Sequence, residues 1–195
     1  MKGVNVKDIV KPHIRDLAPY KPGKPMEELE RELGIRDSIK LASNENPLGP
    51  SPLAVEAVRE AAGRVHRYPD GACFKLRAKL AERLGVGENQ LVFGTGADEI
   101  LELIAKTLIG PGDEVIYGWP SFAMYPIVVK GMGAQCVPVA LTEDFVYDLD
   151  AILAAVTDRT RVVMVCNPNN PTGTSVGAEE FDRFVAKLPD HVVLA

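Results

Sequence analysis

The sequence predicts an α/β fold in which a mostly parallel sheet is flanked by helices. From Ser51 onward, short apolar segments of strand length alternate with longer segments whose apolar residues recur at helical spacing. Such alternation is typical of parallel strands joined by helices that cover both faces of one sheet. The predicted strands are residues 91–94, 114–117, 134–139, 161–166 and 191–195.

The helices are predicted from the same periodicity and from capping residues. Ser51 is expected to cap a helix that has Pro52 at its first position. A second helix, residues 73–84, is expected to end at Gly85. The helices between the strands are predicted at 97–109, 121–131, 149–156 and 178–188.

Residues 1–50 differ from the remainder in their high proline content and weak periodicity. Prolines interrupt this segment repeatedly, around one predicted short helix at 26–33. The segment is therefore interpreted as an arm that lies on another part of the protein. Residues 191–195 are predicted to be a buried strand in which the sequence ends, whereas chain termini usually lie at the surface. We therefore expect the sequence to be the first part of a longer chain.

Composition excludes several classes of function. The formal net charge of −5 argues against nucleic acid or an anionic membrane as the main partner, because both favour clustered Lys and Arg. Cys73, Cys136 and Cys166 are odd in number and widely spaced, so neither a disulfide framework nor a metal site is predicted. No signal peptide or membrane-spanning segment is apparent. A reducing cytoplasm is the expected location.

A glycine-rich turn, Gly94-Thr95-Gly96-Ala97-Asp98-Glu99, lies between a predicted strand and a predicted helix. Its glycines would allow a phosphate to approach the free N–H groups at the start of the helix. The alternative is a tight turn in which the two acidic residues are favoured by the helix dipole. The sixth position holds Glu99 instead of the glycine of a dinucleotide-binding turn, so a single phosphate is favoured over a dinucleotide.

A second turn, Asn167-Pro168-Asn169-Asn170-Pro171-Thr172-Gly173, follows the strand predicted at 161–166. Because ligands of open parallel sheets bind beyond the carboxyl ends of the strands, both turns stand where a ligand is expected. Asn, Pro and Gly are also common in ordinary turns, which is the alternative interpretation.

These motifs together resemble those of the fold-type-I pyridoxal-phosphate-dependent aminotransferases. The resemblance implies that Asn170 bonds the phenolic oxygen of pyridoxal 5'-phosphate. It implies that Gly96, Ala97 and Asp98 form the phosphate cup through backbone groups, with the Asp98 carboxylate pointing away. Phe122, in the element Pro120-Ser121-Phe122, corresponds to the aromatic residue that stacks on the cofactor ring. The implied fold is the fold-type-I large domain, incomplete at its C-terminus.

Upstream motifs resemble the histidinol-phosphate aminotransferases within that group. The motifs occupy residues 18–23, 41–52 and 68–70. By this resemblance Tyr20 approaches the phosphate of the substrate, Asn46 its amino-acid end, and Tyr68 the cofactor phosphate of a neighbouring subunit. Residues 1–50 would form the N-terminal arm and the start of the small domain, and residues 51–195 the first part of the cofactor-binding large domain.

The resemblance implies transamination of histidinol phosphate with 2-oxoglutarate, a step of histidine biosynthesis, by a homodimer. The aspartate that pairs with the pyridinium nitrogen, the Schiff-base lysine and the arginine that binds the substrate carboxylate are all expected beyond Ala195. We therefore assign no catalytic residue within the chain and expect residues 1–195 to be inactive alone.

Three alternatives remain open from the sequence. The first is a related enzyme that acts on aromatic amino acids or decarboxylates threonine phosphate. The second is a non-catalytic product that needs a complementary chain, because an incomplete sheet exposes an unpaired edge. The third, a small dinucleotide-binding protein, is disfavoured by the missing third glycine.

Overall fold

A computed structural model of the chain describes residues 9–195. Residues 94–195 contain a four-stranded parallel sheet. The strands are β1 (Glu114–Trp119), β2 (Gln135–Ala140), β3 (Thr160–Met164) and β4 (Val193–Leu194). Their order in the sheet is β2-β1-β3-β4, and every neighbouring pair is parallel. The predicted fold class, a mostly parallel sheet flanked by helices, is therefore confirmed.

The helices after residue 20 occur where the sequence predicts them, with differences of up to three residues at their ends, whereas the short helix Pro12–Arg15 was not predicted. They are α1 (Pro12–Arg15), α2 (Met26–Leu33), α3 (Pro52–Ala62), α4 (Phe74–Leu84), α5 (Gly96–Leu108), α6 (Met124–Gly131), α7 (Leu149–Ala154) and α8 (Ala178–Val185). In addition, a 3₁₀ turn spans Glu88–Gln90. No helix in this described part of the chain has both the length and the apolar character to cross a bilayer.

Two apolar cores cover the two faces of the sheet. Alternate residues of a strand point to opposite faces, so Val115 and Tyr117 pack with α5 and α6 on one side. Ile116 and Val163 pack on the other side with residues of α7 and α8. The largest fully buried side chains are almost all in these strands or the helices against them. Burial of both faces explains why β1 and β3 read as continuous apolar runs.

The chain forms two compact units. One joins the chain up to Tyr20 with Gly94–Ala195 and contains the sheet; the other is Lys21–Phe93. In the second unit, Ala81 is the one residue of 21–93 classed as buried, and Arg77 donates hydrogen bonds to the carbonyl oxygens of Glu88 (2.8 Å) and Leu91 (2.6 Å). The boundary predicted at residue 50 stays a prediction, and residues 1–8 of the predicted arm lie outside the described residues.

The strand predicted at 91–94 is wrong. This segment is irregular, and the Arg77 guanidinium occupies the Leu91 carbonyl that a neighbouring strand would need. The same guanidinium lies 4.9 Å from the ring centre of Phe93. Contacts from α4 thus replace sheet pairing, and the three consecutive apolar residues of this segment do not reveal such contacts.

Two further predictions are corrected at helix starts. Ser51 does precede the helix, but its side chain makes no capping bond; its carbonyl oxygen accepts the Val55 N–H (3.1 Å). The helix predicted from residue 121 begins at Met124, because the Ser121 side chain is engaged in a buried network described below.

The strand order creates a switch point between β1 and β3. From β1 the chain passes through α6 to β2 on one side, and then returns to β3 on the other side of β1. The chain therefore leaves the neighbouring strands β1 and β3 towards opposite edges of the sheet. This opens a crevice at the carboxyl ends of these two strands, where α/β proteins bind ligands. The residues that follow Trp119 and Met164 border this crevice.

Candidate functional site

A mostly apolar pocket lies beside the carboxyl ends of β1 and β3, within the sheet-containing unit. Its volume is about 560 Å³, which suits a small organic ligand. It brings together Ala97, Phe122 and Asn170, three residues that the sequence nominates from three separate motifs. The remaining lining residues are Ile100, Leu101, Ile104, Tyr125, Val165, Cys166 and Ala195.

The start of α5 forms one end of the pocket. Gly96 has φ +76°, a conformation that favours glycine, and a Cβ there would meet no atom within 4 Å. Its backbone is therefore open to close approach, next to the free N–H groups of a helix of 13 residues. Ala97 lines the pocket, whereas Asp98 is exposed and is not among the described residues that line it.

Glu99 stabilises the 94–99 turn through a hydrogen bond to its backbone. Its carboxylate accepts the N–H of Thr95, and this backbone hydrogen bond lowers the pKa of Glu99 below its ordinary value. The interpretation of this segment as a turn with an acidic residue at the helix start thus describes Glu99 correctly. It does not exclude a phosphate at Ala97, because Glu99 occupies the N–H of Thr95. The Gly96 N–H donates to the Gly94 carbonyl oxygen at 2.9 Å.

Phe122 stands on the segment between β1 and α6 and is half-buried. Its ring packs edge to face with Tyr125, with 5.8 Å between the ring centres. Burial raises the pKa of Tyr125 well above its ordinary value, which already lies far above neutral pH, so the hydroxyl carries no charge. Two aromatic rings therefore supply an uncharged wall that suits a planar ligand.

Asn170 belongs to the turn after β3 and is partly buried. Its backbone N–H donates to the Cys166 sulfur at 3.3 Å, and that thiol donates to the Pro168 carbonyl oxygen at 3.3 Å. The side-chain amide of Asn170 is the uncharged polar group that this turn contributes to the pocket lining.

A buried hydrogen-bonded network links the turns after β1 and β3, and the motif analysis missed it. Ser121 Oγ lies 2.7 Å from the Tyr147 hydroxyl and 2.7 Å from Asn169 Oδ1. All three residues are buried. Ser121 and Asn169 could have been found because each directly precedes a nominated residue. Tyr147 carried no signal, since it stands in the segment between β2 and α7, far from both motifs.

Tyr20, Asn46 and Tyr68, which the resemblance assigns to the substrate or to a neighbouring subunit, are not among the described residues that line the pocket. Tyr20, in the sheet-containing unit, is half exposed. Asn46, in the other unit, accepts the Leu48 N–H (3.0 Å) and donates to the Gly49 carbonyl oxygen (3.3 Å), so its amide orders its own turn. Tyr68, in that unit too, is fully exposed. Their assigned roles stay predictions.

Near Tyr68, Asp70 has a structural function. Its carboxylate accepts the backbone N–H groups of Ala72 (3.0 Å) and Phe74 (2.9 Å), at the start of α4. The bond from Phe74 and then that from Ala72 lower the pKa of Asp70. Part of the 68–70 motif is thus explained by helix capping.

The lining chemistry fits pyridoxal 5'-phosphate. That molecule carries one phosphate, an aromatic ring and a phenolic oxygen. The pocket supplies an open helix start at Gly96 and Ala97, an aromatic side chain at Phe122 and an amide at Asn170. Among residues 9–195, no three His, Cys, Asp or Glu side chains come together to hold a metal ion.

A protein with this sheet and a site at its switch point falls in the α/β class, and comparison with known proteins narrows the class to one family. The chain belongs to the aminotransferase class I and II family, whose model matches residues 36–195.

Individual relatives agree with that assignment. The chain is 51% identical over 193 residues to the histidinol-phosphate aminotransferase of Akkermansia muciniphila, a match covering 98% of the chain and 53% of that protein. It is 51% identical over 181 residues to the enzyme of the same name from Moorella thermoacetica, covering 93% of the chain and 47% of that protein. The chain thus spans about half the length of the curated relatives it matches.

A solved structure supports the same relationship. The fold matches the crystal structure of histidinol-phosphate aminotransferase from Sinorhizobium meliloti in complex with pyridoxal-5'-phosphate, with a TM-score of 0.85 and 30% identity. The match covers 95% of this chain and 50% of that one.

Proposed function

We propose that the protein containing this chain is a pyridoxal-phosphate-dependent aminotransferase that acts on histidinol phosphate. The observation that carries the proposal is the pocket itself. Ala97, Phe122 and Asn170 come from three motifs separated in sequence and line one cavity at the switch point of the sheet. An aromatic, phosphorylated cofactor uses each of these groups for a different part of its structure.

Each residue has a proposed role in holding the cofactor. Backbone N–H groups at Ala97 and Asp98 bind the phosphate, helped by the partial positive charge at the start of α5. Gly96 allows the phosphate to approach closely, while its own N–H donates to the Gly94 carbonyl oxygen at 2.9 Å. Phe122 packs on the face of the ring. Asn170 donates its amide hydrogen to the phenolic oxygen. Tyr68 reaches the cofactor phosphate of the other subunit in a homodimer.

Bound pyridoxal phosphate supplies an electron sink that stabilises negative charge at the α-carbon of an amino-acid substrate. The residues of this chain bind and orient the ring and keep water from its face. A lysine that carries the cofactor covalently and moves the proton is assigned to a part of the protein outside residues 1–195. No lysine is among the described residues that line the pocket. We therefore propose that residues 1–195 alone do not catalyse transamination.

The substrate assignment rests on the upstream motifs and on the names of the relatives. Tyr20 is proposed to bind the phosphate of histidinol phosphate, and Asn46 its amino-acid end. The second substrate is proposed to be 2-oxoglutarate, which accepts the amino group and becomes glutamate. A cytoplasmic location is part of the proposal and is supported by three free thiols, Cys73, Cys136 and Cys166.

Cofactor binding is tested by titrating the protein, expressed from the complete reading frame around residues 1–195, with pyridoxal phosphate. Binding is followed by the absorbance of the bound cofactor and by quenching of tryptophan fluorescence, to which Trp119 contributes as the single tryptophan of residues 1–195, at the end of β1. We expect Phe122→Ala and Asn170→Ala each to raise the dissociation constant about tenfold or more, which corresponds to about 1.4 kcal/mol.

A matched control is Phe145→Ala. Phe145 is exposed and is not among the described residues lining the pocket, so its loss should leave the dissociation constant unchanged. Equal binding by wild type, Phe122→Ala and Asn170→Ala would reject the proposed site.

The substrate is tested with the same protein by comparing kcat/KM for histidinol phosphate and phenylalanine, each with 2-oxoglutarate. A clear preference for histidinol phosphate is expected. A preference for phenylalanine would instead assign the enzyme to aromatic amino acids.

A further inference from the structure

The turns after β1 and β3 are joined by a buried chain of hydrogen bonds whose proton directions can be assigned. Asn169 Nδ2 donates to the Pro120 carbonyl oxygen (3.1 Å) and to Thr172 Oγ1 (2.8 Å). Its Oδ1 is therefore the acceptor that faces Ser121, and Ser121 Oγ donates to it at 2.7 Å.

The remaining directions follow from the single hydrogen of each hydroxyl. Since Ser121 gives its hydrogen to Asn169, the Tyr147 hydroxyl must donate to Ser121 Oγ, at 2.7 Å. The Tyr147 oxygen in turn accepts the N–H of Cys166 at 3.3 Å. Tyr147 is 4% exposed, and burial raises its pKa, which keeps this hydroxyl protonated and able to donate. Each link therefore has both a donor and an acceptor.

Ser121, Tyr147 and Asn169 are not among the described residues that line the pocket, but the network adjoins residues that do. Ser121 directly precedes Phe122, and Asn169 directly precedes Asn170, the two side chains proposed to hold the cofactor ring. Cys166, whose N–H bonds Tyr147, also accepts the N–H of Asn170 through its sulfur. The network thus fixes the backbone on which Phe122 and Asn170 are mounted.

The Asn169 backbone reinforces the turn after β3. Its N–H donates to the Thr174 carbonyl oxygen at 2.8 Å, and its carbonyl oxygen accepts the N–H of Gly173 at 2.7 Å. The side chain is then the link between this turn and Pro120 in the turn after β1. Without the Asn169 side chain, each turn would still be attached to its own strand, but the hydrogen bonds from Asn169 to Pro120 and Ser121 would no longer join the two turns.

We propose that Ser121, Tyr147 and Asn169 are positioning residues that hold Phe122 and Asn170 in a fixed mutual orientation for the cofactor ring. The inference rests on the proposed function, because it concerns the ligand assigned there. It adds three residues that touch neither the ring nor the substrate. Their effect passes through the backbone of Phe122 and Asn170.

The test uses Tyr147→Phe, Asn169→Ala and Ser121→Ala in the protein expressed from the complete reading frame. Two quantities are measured during a pyridoxal phosphate titration: the dissociation constant from the absorbance of the bound cofactor, and the induced circular dichroism of the bound cofactor at saturation. Induced dichroism reports how uniformly the ring is oriented, so a change in stability alone does not alter it. We expect about a tenfold higher dissociation constant or more, as loss of a buried hydrogen-bond partner implies, and a weaker induced signal.

Three controls separate positioning from general destabilisation. Tyr117→Phe removes the hydroxyl of another buried tyrosine of the sheet, outside this network, and should change neither quantity. Ile152→Val weakens the apolar core that also contains Tyr147 but removes no hydrogen bond of the network, so it should lower the unfolding midpoint without changing the induced signal. Ser121→Thr keeps the hydroxyl and should restore the binding that Ser121→Ala loses.

The outcomes are distinguishable. If the wild-type protein does not bind pyridoxal phosphate, the proposed function fails and the inference falls with it. If wild type binds but the three network variants match it in both quantities, the inference alone is overturned. It is also overturned if Ile152→Val weakens the induced signal as much as Tyr147→Phe, or if Ser121→Thr fails to restore it.

Discussion

Replacing Gly118 with alanine should destabilise the protein, because β1 has no space for a methyl group at this position. Gly118 is buried near the end of β1. A Cβ on its backbone would lie 2.5 Å from Tyr147 Cε1 and 2.9 Å from Leu141 Cδ2. Carbon atoms in proteins pack at about 3.5–4.0 Å, so at least one neighbour must move.

The Tyr147 ring cannot move away freely. It is 4% exposed, and its hydroxyl is held by Ser121 Oγ and by the Cys166 N–H. Moving the ring by an ångström would break or stretch both bonds, while shifting β1 would disturb its pairing with β2 and β3. Overpacking of this kind costs about 1–3 kcal/mol of unfolding free energy.

Gly131→Ala is the matched control. Gly131 is the last residue of α6, in the same unit, and a Cβ there would meet no atom within 4 Å. Alanine is favoured over glycine in a helix by about 0.5–1 kcal/mol, so this variant should be neutral or slightly more stable than wild type. The same chemical change thus has opposite expected effects at the two sites.

The assay is urea unfolding followed by Trp119 fluorescence and by far-UV circular dichroism. Trp119 adjoins Gly118 and is the one tryptophan of the sequence, so its emission reports on this part of the sheet. We expect the two variants to differ by about 2 kcal/mol or more, from the overpacking and helix-propensity terms together. A Gly118→Ala protein as stable as Gly131→Ala would refute the packing argument.

Two further predictions concern buried or partly buried charges. A hydrogen bond from the Thr157 hydroxyl is the main cause that lowers the pKa of Glu114 below its ordinary value of 4.5. The stability of the wild-type protein should therefore fall as the pH drops from 4.5 through the lower pKa that Glu114 has in the folded state. The urea midpoint of unfolding is measured as a function of pH. Glu114→Gln should lose the decrease in stability that protonation of Glu114 causes, whereas Glu143→Gln, at an exposed site, should keep that decrease. Identical profiles of the two variants would contradict the role assigned to Glu114. Arg77→Met should release the Leu91 carbonyl and speed hydrogen exchange in residues 88–93, at a cost of about 2 kcal/mol as for a charge-assisted bond. Unchanged exchange in that segment would show that Arg77 does not hold it.

The sheet itself was predictable from local pattern. β1 and β3 are buried on both faces, so each contains a short run of consecutive apolar residues that differs from the helical spacing of apolar residues in the helices around them. The turn after β3 and the 94–99 turn before α5 were predictable as well, because both are motifs of unusual composition. The failure at 91–94 has the opposite cause, since only a contact from Arg77 decides whether that segment pairs.

The sequence by itself determined the fold class, because strand burial leaves a mark on neighbouring residues, and it named Ala97, Phe122 and Asn170 through the resemblance of their motifs to those of a known family. Only the tertiary structure decided that these residues line one pocket, since that depends on the order β2-β1-β3-β4. It alone also joined Ser121 to Tyr147, 26 residues away, and to Asn169, 48 residues away. A hydrogen bond needs its two atoms within about 3 Å, and no local periodicity records which distant partner will satisfy that distance.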